Sequence, residues 1–186
     1  MKNTFISLTI IVSSLIFSNI TCADENTQST NQLKHWSIGV GSYAFSVVNS
    51  DNSDADVDFD GFNLVAGYAF NNHLQVRGSY FSLENDDYSA VESKGVDLMI
   101  YGGTGLAESG FRGYGGVGFF SDEWSFSSKD ESFSGIQLGG GLGYNWGPVA
   151  LDFVLTARQA DKYEDFMFAS GTYFAMSGNL SISYLF

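Results

Sequence analysis

The feature that most constrains this chain is an alternation of period two, sustained over stretches longer than an ordinary strand. It is clearest at the C-terminus, where Phe174, Met176, Gly178, Leu180, Ile182, Tyr184 and Phe186 interleave with Tyr173, Ala175, Ser177, Asn179, Ser181, Ser183 and Leu185. Successive side chains of a strand point to opposite faces, so such a segment has one apolar face and one small, polar face. The pattern recurs in Phe62, Leu64, Ala66, Tyr68 and Phe70, and again in Ile136, Leu138, Gly140, Leu142 and Tyr144. Charge falls on the opposite faces: Gln75 and Arg77 alternate with Leu74 and Val76, Asp97 lies between Val96 and Leu98, and Asp152 and Arg158 alternate with Leu151, Phe153, Leu155 and Ala157. Composition agrees, since 22 glycines and 16% aromatic residues disfavour helix and favour sheet.

Strands are expected over 35–48, 58–70, 74–83, 93–102, 111–120, 133–144, 149–158 and 171–186. A soluble sandwich would bury the apolar faces. The strand lengths, the single proline and the charged residues on the polar faces favour the inverse arrangement, an eight-stranded antiparallel transmembrane up-and-down barrel with its apolar face toward lipid and its polar face inward. The connectors alternate in kind. Short turns at 71–73, 103–110 and 145–148 are expected on the periplasmic side, and loops at 49–57, 84–92, 121–132 and 159–170 outside. Both termini then lie on the periplasmic side. Trp36, Phe70, Phe111, Tyr144, Trp146 and Phe186 mark one aromatic girdle, and Phe62, Tyr80, Phe119 and Phe174 the other.

Ahead of the first strand, Lys2 precedes an uncharged run from Phe5 to Phe17 that is shorter than the roughly 20 residues of a spanning helix. Thr21-Cys22-Ala23 follows, and then the polar Asp24-Glu25. This organisation predicts a signal peptide over 1–23, a flexible periplasmic segment over 24–34 and an outer-membrane barrel over 35–186. Cys22 is the sole cysteine, so a chain cut after Ala23 has neither a disulfide nor a thiol nucleophile.

With these features the chain resembles the small eight-stranded outer-membrane β-barrels of Gram-negative bacteria, the OmpX/Ail, opacity-like and OmpA-barrel group. The most specific element is the terminal Leu180, Ile182, Tyr184 and Phe186 with its final aromatic residue, similar to the signal read by the barrel-assembly machinery. The resemblance implies contact with outer-membrane lipid and lipopolysaccharide. It singles out no activity, because the group ranges from adhesins and resistance factors to proteins of no assigned role.

The net charge of −13, from 8 basic and 21 acidic residues, excludes nucleic acid as a partner. Most of the acids fall in the expected loops, from Asp51, Asp54, Asp56, Asp58 and Asp60 through Asp122, Glu123, Asp130 and Glu131 to Asp161, Glu164 and Asp165. Such loops suit an extracellular protein or a divalent cation as partner. Asp56, Asp58 and Asp60 with Gly61 open like a calcium loop, but its twelfth position would be Gly67, which supplies no carboxylate. The barrel interior is expected to pack Gln75, Arg77, Asp97, Arg112, Tyr114, Gln137, Asp152 and Arg158 as a polar core. A lipid-acting enzyme and a small ion-conducting pore are the alternatives to surface display. Histidine is limited to His35 and His73, neither with an evident serine and acid beside it, and eight strands enclose little more than side chains. No cofactor is expected.

Overall fold

The computed structural model describes residues 33–51, 56–86, 91–126, 129–166 and 171–186. Eight antiparallel strands close into one barrel in sequence order: β1 (Trp36–Asn49), β2 (Val57–Asn71), β3 (Leu74–Asn85), β4 (Glu92–Thr104), β5 (Gly110–Phe126), β6 (Lys129–Asn145), β7 (Val149–Arg158) and β8 (Tyr173–Leu185). β1 pairs with β8 from Ser37↔Leu185 to Asn49↔Tyr173, so neither edge is left over. A six-residue helix, α1 (Asp161–Phe166), interrupts the connection from β7 to β8.

Closure follows from the alternation. On β8 the apolar set Phe174, Met176, Leu180, Ile182, Tyr184 and Phe186 is exposed outward, while Tyr173, Ala175, Ser177, Ser181, Ser183 and Leu185 are buried inward. Every other strand carries an outward apolar row of the same kind, including Ile38 and Val40, Leu98 and Ile100, Val117 and Phe119, and Phe153 and Leu155. An apolar belt on the outside of a closed barrel requires hydrocarbon rather than water around it. The aromatic residues assigned to the two girdles are all outward and exposed.

Most strand ends differ from expectation by one or two residues, and three places differ in a way that bears on the site. Residues 121–132 are largely strand, because β5 continues to Phe126 and β6 begins at Lys129. The alternation explains this: Phe120, Asp122 and Trp124 are buried inward while Ser121 and Glu123 face out. β6 pairs with β7 only from Gln137 onward, so the β5–β6 hairpin stands beyond its neighbour. Residues 159–170 are not simply a loop, since they contain α1. His35 lies just before the first strand, its ring Nδ1 2.6 Å from Ala69 O. The proposed signal peptide falls outside the described residues. At the end of the lead-in, Lys34 is anchored, its backbone N–H donating to Ala107 O at 3.2 Å and its Nζ to Leu185 O at 3.4 Å.

Candidate functional site: a filled lumen beneath an acidic rim

The inward faces of the strands build three layers along the barrel. At the short-turn end the β4–β5 turn folds under the lumen, burying Leu106 and Ala107. Gly105 and Gly110 bracket this turn with φ of 76° and 120°, values that side chains rarely adopt. Asn72 and Asn145 hold it through bonds to Glu108 at 3.1 and 2.8 Å.

Above this stopper lies a first ion cluster. Asp152, fully buried, accepts two bonds from the Arg112 guanidinium, one of them from Nε at 2.7 Å, and one from the Tyr114 hydroxyl at 2.8 Å. Arg77 stands 3.8 Å from the same carboxylate and donates to Tyr114 at 3.2 Å and to Ser181 at 2.7 Å. The fork geometry of Arg112 satisfies both carboxylate oxygens, which is what makes a buried charge tolerable.

The second cluster centres on Arg158. Its guanidinium donates to Asp97 at 2.8 Å and to the Tyr43 hydroxyl at 2.7 Å, and Tyr43 in turn donates to Asp97 at 2.7 Å. Gln137 adds a bond to Asp97 at 3.2 Å. On its other side Arg158 lies 3.8 Å from Asp122 and is boxed by the rings of Phe45, Phe81 and Phe120, with centroids 4.7 to 5.1 Å away. Aromatic faces present negative charge to a cation, so the box stabilises a guanidinium removed from water.

The third layer is an aromatic plug at the loop end. Phe45, Phe59, Trp124, Phe133 and Tyr163 pack together, with Tyr163 contributed by α1 and fully buried. The Tyr163 hydroxyl reaches both oxygens of Asp122, at 3.0 and 3.1 Å, and Trp124 donates to Asp122 at 3.1 Å. Both groups lie past Phe119, the last lipid-facing apolar residue of β5, beyond which Ser121 and Glu123 face outward. Burial pushes the Asp122 carboxyl upward, opposed by Arg158 and by the bonds from Tyr163 and Trp124. Burial also raises the Tyr163 hydroxyl, and the Asp122 charge adds to that. α1 forms where Asp161 and Glu164 favour the first turn of a helix, and Glu164 ties it to β8 by accepting the Tyr173 N–H at 3.1 Å.

All eight residues expected in the polar interior face inward: Arg77, Asp97, Arg112, Tyr114, Gln137, Asp152 and Arg158 join the two networks, and Gln75 is buried below them. Tyr43, Asp122, Trp124, Tyr163 and Ser181 are lumen members that the reading of the sequence did not single out. For Asp122 this is a correction, because the sequence places it among the acids of an expected loop and the structure buries it as an ion-pair partner of Arg158. The signal was available in the period-two run Phe120, Asp122, Trp124. Asp58 and Asp60 lie on extended β2, and Asp56, just before it, accepts the Asn49 N–H at 2.8 Å. The three are thus strung along the chain rather than wrapped around a point, and among the described residues no three acidic, histidine or cysteine side chains are placed to hold a metal. His73 Nδ1 is 2.9 Å from the backbone oxygen of Gly103, and both histidines sit at the short-turn end. Leu180, Ile182, Tyr184 and Phe186 form one outward row down β8.

No protein-family model and no curated protein sequence matches the chain. Solved structures do. Ail, the attachment invasion locus protein of Yersinia pestis, superposes with a TM-score of 0.52 at 21% identity, over 83% of this chain and 99% of Ail. Neisserial surface protein A gives 0.59 at 16% identity, over 81% and 97% of the two chains. The outer membrane protein OprG from Pseudomonas aeruginosa gives 0.55 at 12%, over 83% and 96%. The chain has the fold of the small eight-stranded outer-membrane β-barrels, with Ail and Neisserial surface protein A as structural neighbours.

Proposed function

We propose that this protein resides in the bacterial outer membrane, after removal of residues 1–23, and acts there by display rather than by transport or catalysis. Its short turns and both termini face the periplasm, and its loop end faces outward. The observation that carries this reading is the contrast between the two places where charge sits. Inside, the arginines are committed to Asp97, Asp122 and Asp152 between a turn that closes one end and an aromatic plug that closes the other. Outside, Asp60, Glu84, Glu123, Asp130, Glu131, Asp161 and Asp165 are exposed around the loop end, with Lys94, Lys129 and Lys162 as the basic residues there. A surface so charged attracts cationic partners, basic proteins or divalent ions, and it does so through a field that salt screens. The final row of β8, ending in Phe186, serves as the signal for the barrel-assembly machinery.

The test is to replace six of those exposed carboxylates with Asn and Gln while keeping Asp161, which accepts from Gln159 at 2.8 Å, and Asp122, Asp58 and Asp56, which also make bonds. The variant should fold to the same heat-modifiable form, because solvated charges contribute little to stability. Cells carrying it should lose salt-sensitive binding to cationic proteins relative to the unaltered barrel. The reading fails if that binding, and every other difference from cells lacking the protein, persists. It also fails if a substitution inside a folded barrel, such as Arg112→Gln, alone abolishes the phenotype, since function would then reside in the lumen.

A further inference from the structure

Between the two ion clusters the lumen keeps a cavity of about 20 Å³, lined by Arg77, Asp97, Tyr101, Gln137, Thr156 and Asn179 among others. Two of the lining residues leave side-chain oxygens buried with no hydrogen-bond partner, Gln137 Oε1 and Asn179 Oδ1. Gln137 is itself 2% exposed, and its orientation is fixed. Its Nε2 donates to Asp97 Oδ1 at 3.2 Å and to Phe119 O at 3.1 Å, so a flipped amide would set its oxygen against two acceptors. The unmatched group is therefore an acceptor, and it needs a donor.

We infer that this cavity is a binding site for one water molecule, which joins the two ion clusters into a continuous hydrogen-bonded column along the barrel axis. The volume admits about one water and nothing larger. A cation is a poor occupant, because Arg77, Arg112 and Arg158 already balance Asp97, Asp122 and Asp152, and an added charge would be buried without a counter-charge. An empty cavity is equally poor, since it would leave two polar oxygens desolvated and unbonded. Water supplies the two missing donors, to Gln137 and Asn179. It can accept in return from the hydroxyl of Tyr101 or Thr156, or from the Arg77 guanidinium, all of which line the same space.

The test is a high-resolution crystal structure of the folded barrel, unaltered and as Asn179→Leu, which exchanges one orphan acceptor for a methyl group of similar size. The unaltered barrel should show one water within about 3.2 Å of both Gln137 Oε1 and Asn179 Oδ1. Asn179→Leu should lose that water, and its unfolding midpoint should move to lower urea, because Gln137 Oε1 is then buried without a donor. Should Asn179→Leu fail to fold, Thr156→Val, which keeps both acceptors, serves as the second variant and should retain the water. A dry cavity in the unaltered barrel overturns the inference. So does an atom ringed by oxygens at distances shorter than a hydrogen bond, which would be a metal ion.

Discussion

The two ion clusters of the lumen are built from the same residue types in opposite proportion. Toward the short turns one carboxylate, Asp152, serves two arginines, Arg77 and Arg112. Toward the loops one arginine, Arg158, serves two carboxylates, Asp97 and Asp122. The lumen is neutral as a whole but carries an excess of positive charge below and of negative charge above. The two halves answer damage differently because of their chemistry. A carboxylate deprived of its partner can take up a proton and become neutral, whereas a guanidinium stays charged at any accessible pH.

The largest effect is therefore expected at Asp152. Asp152→Asn leaves two buried guanidiniums with no counter-charge and should cost about 3–5 kcal/mol, read as a large fall in the urea midpoint of the barrel folded in lipid vesicles. An unchanged midpoint would show that Arg77 and Arg112 find other partners. Arg158→Met comes next, at about 1–3 kcal/mol near neutral pH, because Asp122 can be neutralised and Met fits the aromatic box. Part of that loss should be recovered on acidification; a deficit that grew as pH fell would reverse the comparison.

Asp122→Asn should change stability by less than about 1 kcal/mol, since an amide oxygen still accepts from Tyr163 and Trp124. Its more telling effect is on pH dependence. The carboxyl is raised in the folded protein from 3.8, so the folded state holds the proton more firmly than the unfolded chain. The stability it contributes is present below the unfolded value and is lost as pH rises through the folded one. Protection of α1 from hydrogen exchange, corrected for the intrinsic rate, should decline over that window in the unaltered barrel and not in Asp122→Asn. The smallest effect is expected at Lys94, whose exposed bond to Glu92 lies outside both clusters. Lys94→Ala should leave the unfolding midpoint where it was, and a clear shift would mean that the outer rim shares in the stability attributed to the lumen.

The interior was legible where polar residues broke into otherwise apolar alternation, as Arg77, Asp97, Asp152 and Arg158 do. It was not legible where an inward residue looked like its neighbours. Tyr43 reads as one more aromatic of a strand, and only the closed wall sets it beside Asp97 of β4 and Arg158 of β7. Asp122 stands next to Glu123 in a stretch rich in acids, and its burial depends on β5 outrunning the apolar belt. Tyr163 sits in a connector whose helix is too short to predict from periodicity, and it becomes a plug only because three strands offer it Phe45, Phe120, Trp124 and Phe133.

The alternation by itself determined the strands, their number, the face each turns outward and the closure of the wall, because a period of two and an apolar face without a soluble core leave few other folds. It likewise marked which polar side chains must enter the lumen. Only the tertiary structure decided which of them meet. Partners such as Arg158 and Tyr43 are separated by most of the chain and are brought together by the stagger of strands around a closed barrel, a geometric property of the whole wall that no local stretch of sequence carries.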